Sequence, residues 1–177
     1  MVIYGGDDQT TNEVGGLGDL WIYSPRAQLS RSDPNHELED EWQYLERGGV
    51  QPGARREPSL TILNSTLVLQ GGKMVDGEAN EQCDSRLFLL DIVDPKADWR
   101  EGESLPGDCA VGQTMDTVVI PHAKGAKERV VVFGGCQWSE SGTYHCSDDL
   151  YAYDLIEDAW EKIIPESDKD ADACQGE

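Results

Sequence analysis

Positive charge is scarce in this sequence. It has 14 lysine and arginine residues against 35 aspartate and glutamate residues, which gives a formal net charge of −21 at pH 7. An acidic surface repels nucleic-acid phosphates and anionic lipids, and it lacks the basic patch that either partner requires. The composition therefore predicts no nucleic-acid partner and no membrane partner, and it favours a well-solvated surface.

Long apolar runs are also missing. No stretch reaches the ~20 consecutive apolar residues of a membrane-spanning helix. The first residues have neither the basic part nor the apolar part of a signal peptide. We therefore expect a cytoplasmic or nuclear location by default. Secretion stays open, because the true N-terminus of the protein can lie upstream of Met1.

Internal repetition is what the sequence has in abundance. Three strand-like runs end in paired glycines spaced 66 and 63 residues apart, which are Gly5 and Gly6, Gly71 and Gly72, and Gly134 and Gly135. After each pair come a polar loop and a second run, which is "DLWIYS" (19–24), "RLFLLD" (86–91) or "DLYAYD" (149–154). A third segment then centres on a tryptophan, which is Trp42, Trp99 or Trp160. The common order indicates a repeat architecture, with an ordinary β-sandwich as the alternative.

In "DLWIYS" and "DLYAYD" the two aromatic residues fall on one face and the leucine on the other, with the period of two that is typical of β-strands. The hydrophobic-Gly-Gly run, the Asp-Leu-aromatic strand and the spaced tryptophans together resemble the kelch family over about residues 2–163. That resemblance implies one four-stranded blade of a β-propeller per repeat, with extended loops, since kelch repeats are usually about 50 residues long. The chain departs from the family before the second blade, where Arg55 and Ser59 are kept but Pro58 replaces a histidine.

The predicted fold is all-β, a kelch-type β-propeller segment of about three four-stranded antiparallel blades in an incomplete or open ring. The repeats span about residues 2–46, 52–103 and 106–163, and an acidic tail predicted to be disordered covers 164–177. The first repeat lacks its inner strand, and closed propellers typically need at least four blades. A fragment of a longer propeller, an open arc completed by another chain and a protein with further domains all fit this pattern. Missing blades from a longer chain, or self-association, are therefore expected.

The loops predict where a function would lie. In a four-stranded meander, the connections between second and third strands and those between blades emerge on one face, and here they are long. Loops on a rigid scaffold commonly carry binding residues, and large aromatic side chains contribute strongly to binding. The candidate partner-binding residues on this face are Arg55, Arg56, Gln137, Trp138, Tyr144 and His145. We therefore expect a module that binds another protein, as a scaffold or by recruiting a substrate.

Signs of catalysis are weak by comparison. The predicted topology puts His36 and His122 on the opposite face from His145, so one site cannot use all three. The Gly-x-Ser-x-Gly nucleophile elbow is absent, and no close Cys-x-x-Cys pair suits zinc. We expect no enzyme activity, no catalytic residue, no cofactor and no metal. A propeller enzyme of the galactose-oxidase type and a purely structural fragment of a longer kelch protein are the alternatives.

Cysteine positions make a sharper prediction. Cys83, Cys136 and Cys146 fall in the loops that follow the second strands. Because Cys136 and Cys146 flank one loop at the ends of adjacent strands, their Cα atoms are expected within disulfide range, whether or not a bridge forms. Reduced thiols are the default for a cytosolic or nuclear protein. The glycosylation sequon that begins at Asn64 favours secretion slightly, although such triplets are common by chance.

Overall fold

The structure is a computed structural model that describes residues 1–8, 15–24, 41–75, 81–107, 111–122, 125–138 and 143–164. Its regular elements in these ranges are β-strands: β1 (Val2–Asp8), β2 (Gly15–Ser24), β3 (Glu41–Tyr44), β4 (Arg55–Arg56), β5 (Ser59–Leu63), β6 (Thr66–Gln70), β7 (Lys73–Val75), β8 (Glu81–Cys83), β9 (Leu87–Asp91), β10 (Arg100–Gly102), β11 (Thr114–His122), β12 (Gly125–Phe133), β13 (Cys136–Trp138), β14 (Tyr144–Cys146), β15 (Leu150–Asp154) and β16 (Ala159–Ile163). No helix in this part of the chain is long and apolar enough to cross a membrane. Residues 165–177 of the predicted acidic tail lie outside the described ranges.

Three antiparallel sheets follow one another along the chain, and each corresponds to one repeat. Blade 1 has the strand order β1-β2-β3, blade 2 has β5-β6-β9-β10, and blade 3 has β11-β12-β15-β16. The inner strands of blades 2 and 3, β5 and β11, contact each other. The expected all-β propeller segment is confirmed, and within the described ranges the first sheet is one strand short.

The strand register explains why the repeat signals recur. The residue before each glycine pair lies opposite the leucine of the next strand, in the pairs Tyr4–Leu20, Gln70–Leu87 and Phe133–Leu150. Positions in the three blades can therefore be matched one to one. The glycines allow a close backbone approach: Gly72 has a φ of +89°, and a Cβ atom there would lie 2.6 Å from the carbonyl oxygen of Arg56. A side chain has no room at this position, and the left-handed φ also favours glycine.

The hydrophobic core consists of layers between neighbouring sheets. One layer joins blade 1 to blade 2, where Leu20 and Tyr4 pack with Phe88. A second layer joins the opposite face of blade 2 to blade 3, where Leu89 packs with Tyr153. Blade 2 is therefore covered on both faces, and full burial of one such large apolar side chain stabilises the fold by about 1.5–3 kcal/mol.

A main-chain connection also holds blade 1 to blade 2. The amide of Val50 donates to the carbonyl oxygen of Trp99 at 2.9 Å, and the amide of Trp99 donates to the carbonyl oxygen of Gly48 at 3.0 Å. Gly49 between them has a φ of +82°, and a Cβ atom there would lie 2.2 Å from the carbonyl oxygen of Trp99. The segment can pass this close to Trp99 because Gly49 has no side chain.

The register keeps the three tryptophans at matching positions, although Trp99 lies one residue before the first residue of the outer strand β10. Trp99 is only 3% exposed, whereas Trp42 is 45% exposed. One expectation needs correction: the sequence of segment 121–127, "PHAKGAK", predicts a loop, but the segment is largely strand. The reason is that β11 and β12 continue to pair out to His122 and Gly125, which satisfies their backbone hydrogen bonds.

The long loops that were predicted after the second strands are partly short β-hairpins. Strand β7 pairs with β8, and β13 pairs with β14. The segments that connect the blades add to these hairpins, since β4 pairs with β7 and Val111 forms an antiparallel bridge with Cys136. Pairing of this kind gives the loop backbone the hydrogen-bond partners that it needs. We call the end of the blades that carries β4, β7, β8, β13 and β14 the loop end.

Candidate functional site at the loop end

At the loop end between blades 1 and 2, a buried arginine fills the space between the sheets. The side chain of Arg55 is 0% exposed, and its guanidinium carbon lies 4.8 Å from the centre of the Phe88 ring. The guanidinium donates hydrogen bonds to the carbonyl oxygen of Gly71 at 2.8 Å, to Asp84 Oδ2 at 3.0 Å and to the carbonyl oxygen of Pro52. A buried charge is tolerated only with such partners, so this arginine is a structural element of the contact between blades.

Asp84 connects the buried arginine to the surface. Arg86 Nε donates to Asp84 Oδ1 at 2.9 Å, and Arg86 also pairs with Glu101 Oε1 at 3.0 Å. Burial raises the pKa of Asp84, but hydrogen bonds from Arg86 and the ion pair with Arg55 outweigh burial, so the pKa is lowered overall. Burial also lowers the pKa of Arg55, and the charge of Asp84 opposes this shift. The Asp84 carboxylate therefore stays ionised near neutral pH.

Tyr4 of blade 1 completes this cluster. Its hydroxyl group donates a hydrogen bond to the carbonyl oxygen of Gly53 at 2.9 Å. Burial raises the pKa of Tyr4 to about 12, and the positive charge of Arg55 opposes that rise. The phenol is therefore neutral near pH 7, and its hydroxyl group joins the set of paired polar groups around Arg55.

Between blades 2 and 3, the same end of the sheets contains an open cleft of about 250 Å³. Blade 3 supplies its polar lining, from Gln137 of β13, from His145 of β14, and from Ser147, Asp149 and Tyr151 at the start of β15. The wall from blade 2 consists of the residues that follow β10, which are Leu105, Pro106 and Gly107. We call this space the loop-end cleft.

The position of the loop-end cleft in blade 3 corresponds to the position of the Arg55 guanidinium in blade 2. When the blades are matched through the strand register, the lining residues Gly134, Ser147 and Tyr151 correspond to Gly71, Asp84 and Phe88. Those three residues of blade 2 are the ones that the guanidinium of Arg55 contacts. The corresponding surfaces of blade 3 therefore line a cleft instead of enclosing an arginine.

The sequence gives the reason for this difference. In blade 2, Arg56 pairs with Lys73, and in blade 3, Val111 bridges to Cys136, which is the residue that matches Lys73. Val111 therefore matches Arg56, and the residue before it, Ala110, matches Arg55. Ala110 lies outside the described ranges. Alanine has no guanidinium group with which to fill the cleft.

The ion pair beside the aromatic ring also has opposite polarity in the two blades. In blade 2, Arg86 pairs with Glu101 on the outer strand at 3.0 Å. The matching positions of blade 3 hold Asp149 and Lys162, whose charged atoms are 2.7 Å apart. The cleft therefore has a carboxylate at its edge where blade 2 has a guanidinium.

A disulfide closes the hairpin that forms one side of the cleft. Cys136 of β13 and Cys146 of β14 lie opposite each other with a Cα separation of 4.0 Å, and their sulfur atoms are bonded. The expected proximity of this pair is confirmed. Cys83, the residue of blade 2 that matches Cys146, is also disulfide-bonded. The default of reduced thiols is therefore wrong for these three cysteines, because the hairpin register brings Cys136 and Cys146 directly opposite each other.

The predicted partner-binding residues have different positions in the structure. Gln137 and His145 pair across the β13–β14 hairpin and both line the cleft. Trp138 and Tyr144 pair one step further along, and their side chains lie outside the described part. Arg56 is half-buried beside Lys73.

Arg55 is the correction among these residues. It was expected to contact a partner, but it is fully buried and its hydrogen bonds are internal. Sequence reasoning also missed Ser147, Asp149 and Tyr151, which line the cleft. Tyr151 was interpreted only as a strand residue, and the useful signal would have been the alanine that matches Arg55.

The cleft combines groups that suit a polyhydroxylated ligand. The Tyr151 ring offers an apolar surface, while Gln137, Ser147 and Asp149 offer donors and acceptors at the wall. His145 adds an imidazole, whose two ring nitrogens can donate and accept hydrogen bonds. Among the described residues, no group of three or more His, Cys, Asp or Glu could hold a metal ion.

Part of the chain is similar in sequence to proteins named as N-acetylneuraminate epimerases. Over 78 residues the chain is 31% identical to the N-acetylneuraminate epimerases of Haemophilus influenzae strains PittEE and 86-028NP, which covers 44% of this chain and 19% of each relative. The chain therefore spans about a fifth of the length of the curated relatives it matches. The solved structure of YjhT matches 68% of this chain and 29% of its own, with 18% identity and a TM-score of 0.49. No family model matches the chain.

These matches correct the expectation that the protein is not an enzyme. Both curated relatives are named as epimerases, and the aligned segment covers nearly half of this chain. The histidine, serine and cysteine patterns that the chain lacks are those of other enzyme classes. A propeller enzyme whose polar groups come from several loops has no such local signature. Membership of the kelch family itself stays a prediction, since no family model matches.

Proposed function

We propose that this chain is part of a propeller enzyme that binds an acidic amino sugar or a related sugar in the loop-end cleft and interconverts its epimers. The observation that carries the proposal is the 31% identity over 78 residues to N-acetylneuraminate epimerases. The open cleft of blade 3, with its aromatic ring and polar wall, supplies a location for the sugar.

The chemistry of epimerisation assigns roles to the lining residues. Inversion of one stereocentre requires a group that accepts a proton and a group that returns one, and histidine and carboxylate side chains commonly do this. In this proposal His145 is the acid–base group and Asp149, held by Lys162, is the second proton carrier or the acceptor for a sugar hydroxyl. The ring of Tyr151 lies against the apolar face of the sugar, and Gln137 binds hydroxyl groups.

The first test is an activity assay on the natural full-length protein. Conversion of N-acetylneuraminate between its epimers is followed by proton NMR. Replacement of His145 by Ala is expected to lower the rate about 100-fold or more, as loss of a general acid–base group does. The matched control is Gln82→Ala, because Gln82 lies at the position of blade 2 that corresponds to His145. Equal rates for the two variants would contradict the role of His145.

A second test closes the cleft by giving blade 3 the residues of blade 2. The double substitution Ala110→Arg with Ser147→Asp recreates the pair formed by Arg55 and Asp84. We expect the new guanidinium to fill the cleft, so sugar binding measured by calorimetry is lost while the thermal transition is kept. Ser147→Asp alone is the control, since it leaves the cleft open. Full sugar binding by the double variant would place the sugar elsewhere.

Binding of another protein through Trp138 and Tyr144 stays a prediction. The backbone pairs these two residues at the tip of the β13–β14 hairpin, at the loop end. The cleft adds a reason to prefer a small ligand at the same end, because a volume of about 250 Å³ suits one sugar residue better than a folded partner.

A further inference from the structure

The end of blade 2 opposite the loop end carries a tight turn that contains Asn64. Strand β5 ends at Leu63 and β6 begins at Thr66, so that Asn64 and Ser65 form the turn between them. Asn64 is exposed and has a φ of +56°, a conformation that asparagine tolerates better than most residues. Ser65 Oγ donates to Asp91 Oδ2 at 3.1 Å. This contact anchors the turn through Ser65, and the amide of Asn64 is left at the surface.

The triplet Asn64-Ser65-Thr66 matches the pattern that N-linked glycosylation requires, which is Asn-x-Ser or Asn-x-Thr. The chain has four asparagines, and the other three, Asn12, Asn35 and Asn80, lack serine or threonine two residues later. Because the sequence has this one acceptor position, any N-linked sugar found on the chain can be assigned to Asn64. By itself this triplet would be weak evidence, since such triplets arise by chance.

The cysteines supply the second, independent observation. Cys136 and Cys146 form a disulfide, and Cys83 is also disulfide-bonded. Disulfides persist mainly in secreted proteins and in the oxidising compartments through which these proteins pass. The oligosaccharide transfer reaction takes place in such a compartment, so the disulfides and the sequon point to the same history of the chain.

The surface beside Asn64 also has room for a sugar. Asn64 borders a second open cleft of about 510 Å³ whose apolar lining includes Leu63, Val119 and Ile156. Val119 is 62% exposed and Ile156 is 95% exposed, so both side chains face water. An oligosaccharide attached at Asn64 would lie over these residues and cover apolar surface that is otherwise left in contact with solvent.

We propose that Asn64 carries an N-linked oligosaccharide. The amide nitrogen of Asn64 forms a bond to C1 of the first sugar as the bond between C1 and the oxygen of a polyprenyl diphosphate donor breaks. The polyprenyl diphosphate leaves with the bonding electron pair, and one amide proton is released. The site lies on the opposite end of blade 2 from the loop-end cleft, so this modification and the proposed epimerase activity are independent of each other.

The test begins with the protein isolated from its natural cells. Trypsin releases a peptide that spans residues 57–73 and contains Asn64 as its only asparagine. Treatment with peptide-N-glycosidase in ¹⁸O water is expected to convert Asn64 to an ¹⁸O-labelled aspartate, which mass spectrometry detects. An unmodified peptide as the main species before this treatment would overturn the proposal, whatever the redox state of the cysteines.

Variants secreted from a eukaryotic host sharpen the result. Asn64→Gln and Thr66→Ala are each expected to abolish a mobility shift on glycosidase treatment. Thr66→Ser keeps the acceptor pattern and is expected to keep the shift, which guards against a loss caused by misfolding alone. Asn80→Gln is the matched control and is expected to change nothing. A shift that persists in Asn64→Gln would overturn the assignment to this residue.

Discussion

The loop ends of blades 2 and 3 share a backbone register but differ in what lies between the sheets. In blade 2 the guanidinium of Arg55 lies over Phe88 and bonds to Asp84. In blade 3 the matching ring, Tyr151, lines a cleft of about 250 Å³. The difference shows how a repeat can keep its fold while one copy fills a position with a buried side chain and another leaves a cleft there.

The largest expected effect comes from removing the buried arginine. Replacement of Arg55 by Met leaves Asp84 buried with Arg86 as its remaining cationic partner. Breaking a buried ion pair on one side typically costs about 3–5 kcal/mol. We expect a loss of that size in the free energy of unfolding, measured by urea denaturation. The double variant Arg55→Met with Asp84→Leu should recover much of the loss, and a single variant as stable as the wild type would contradict the structural role of Arg55.

The two matched rings should respond differently to truncation. Phe88 is fully buried, so Phe88→Ala is expected to cost about 3–5 kcal/mol of unfolding free energy. Tyr151 lines an open cleft and is half-buried, so Tyr151→Ala should cost about 1–2 kcal/mol and weaken sugar binding. The comparison is made by urea denaturation together with calorimetric titration. Equal losses of stability would mean that the cleft is closed in solution.

Acid should act on blade 2 through Asp84, whose pKa is lowered in the folded state. A carboxylate with a lowered folded pKa contributes stability above its unfolded value, about 3.9. That contribution is lost as the pH falls from there through the folded pKa. Below about pH 4, the unfolding free energy should therefore fall less steeply with decreasing pH in Asp84→Asn than in the wild type. The difference between the two slopes corresponds to the uptake of up to about one proton on unfolding. Asp154 and Asp158 also have lowered pKa values, so part of the slope remains.

The smallest effect is expected for the exposed ion pair of blade 3. Lys162 pairs with Asp149 at 2.7 Å, but the lysine side chain is 49% exposed. Exposed ion pairs contribute little to stability, so Lys162→Met should leave the thermal transition unchanged in differential scanning calorimetry. The same variant releases Asp149 at the cleft and should alter the pH profile of the proposed activity. A clear drop in the melting temperature would contradict this expectation and show that the pair contributes to stability.

Most of the fold could be predicted because its signals are local. The glycine pairs follow β6 and β12 and lie within β1, and each leucine such as Leu20 lies opposite the residue before the pair, so that spacing alone predicts the sheets. The proximity of Cys136 and Cys146 followed from the same topology. The hairpins of the loop end were missed because strands of three residues, such as β7, are too short to show an alternating pattern.

The candidate site was predicted only in part. Gln137 and His145 were identified because they belong to a long loop at the correct face. The burial of Arg55 could not be predicted, because it depends on Phe88 and Asp84, which are about 30 residues away in the chain and become neighbours through packing. The cleft was missed for the same reason, because its presence depends on whether a side chain such as that of Arg55 fills the matching position.

The contact of Gly48 and Val50 with Trp99 has a consequence for how the molecule opens. Both of its hydrogen bonds run between main-chain atoms, and they add to the apolar layer that already joins blades 1 and 2. The seam between blades 2 and 3 includes the indole of Trp160, which donates to the carbonyl oxygen of Glu103 at 2.8 Å. Blades 1 and 2 should therefore exchange their amide hydrogens as one cooperative unit, while blade 3 separates from them at a lower free energy.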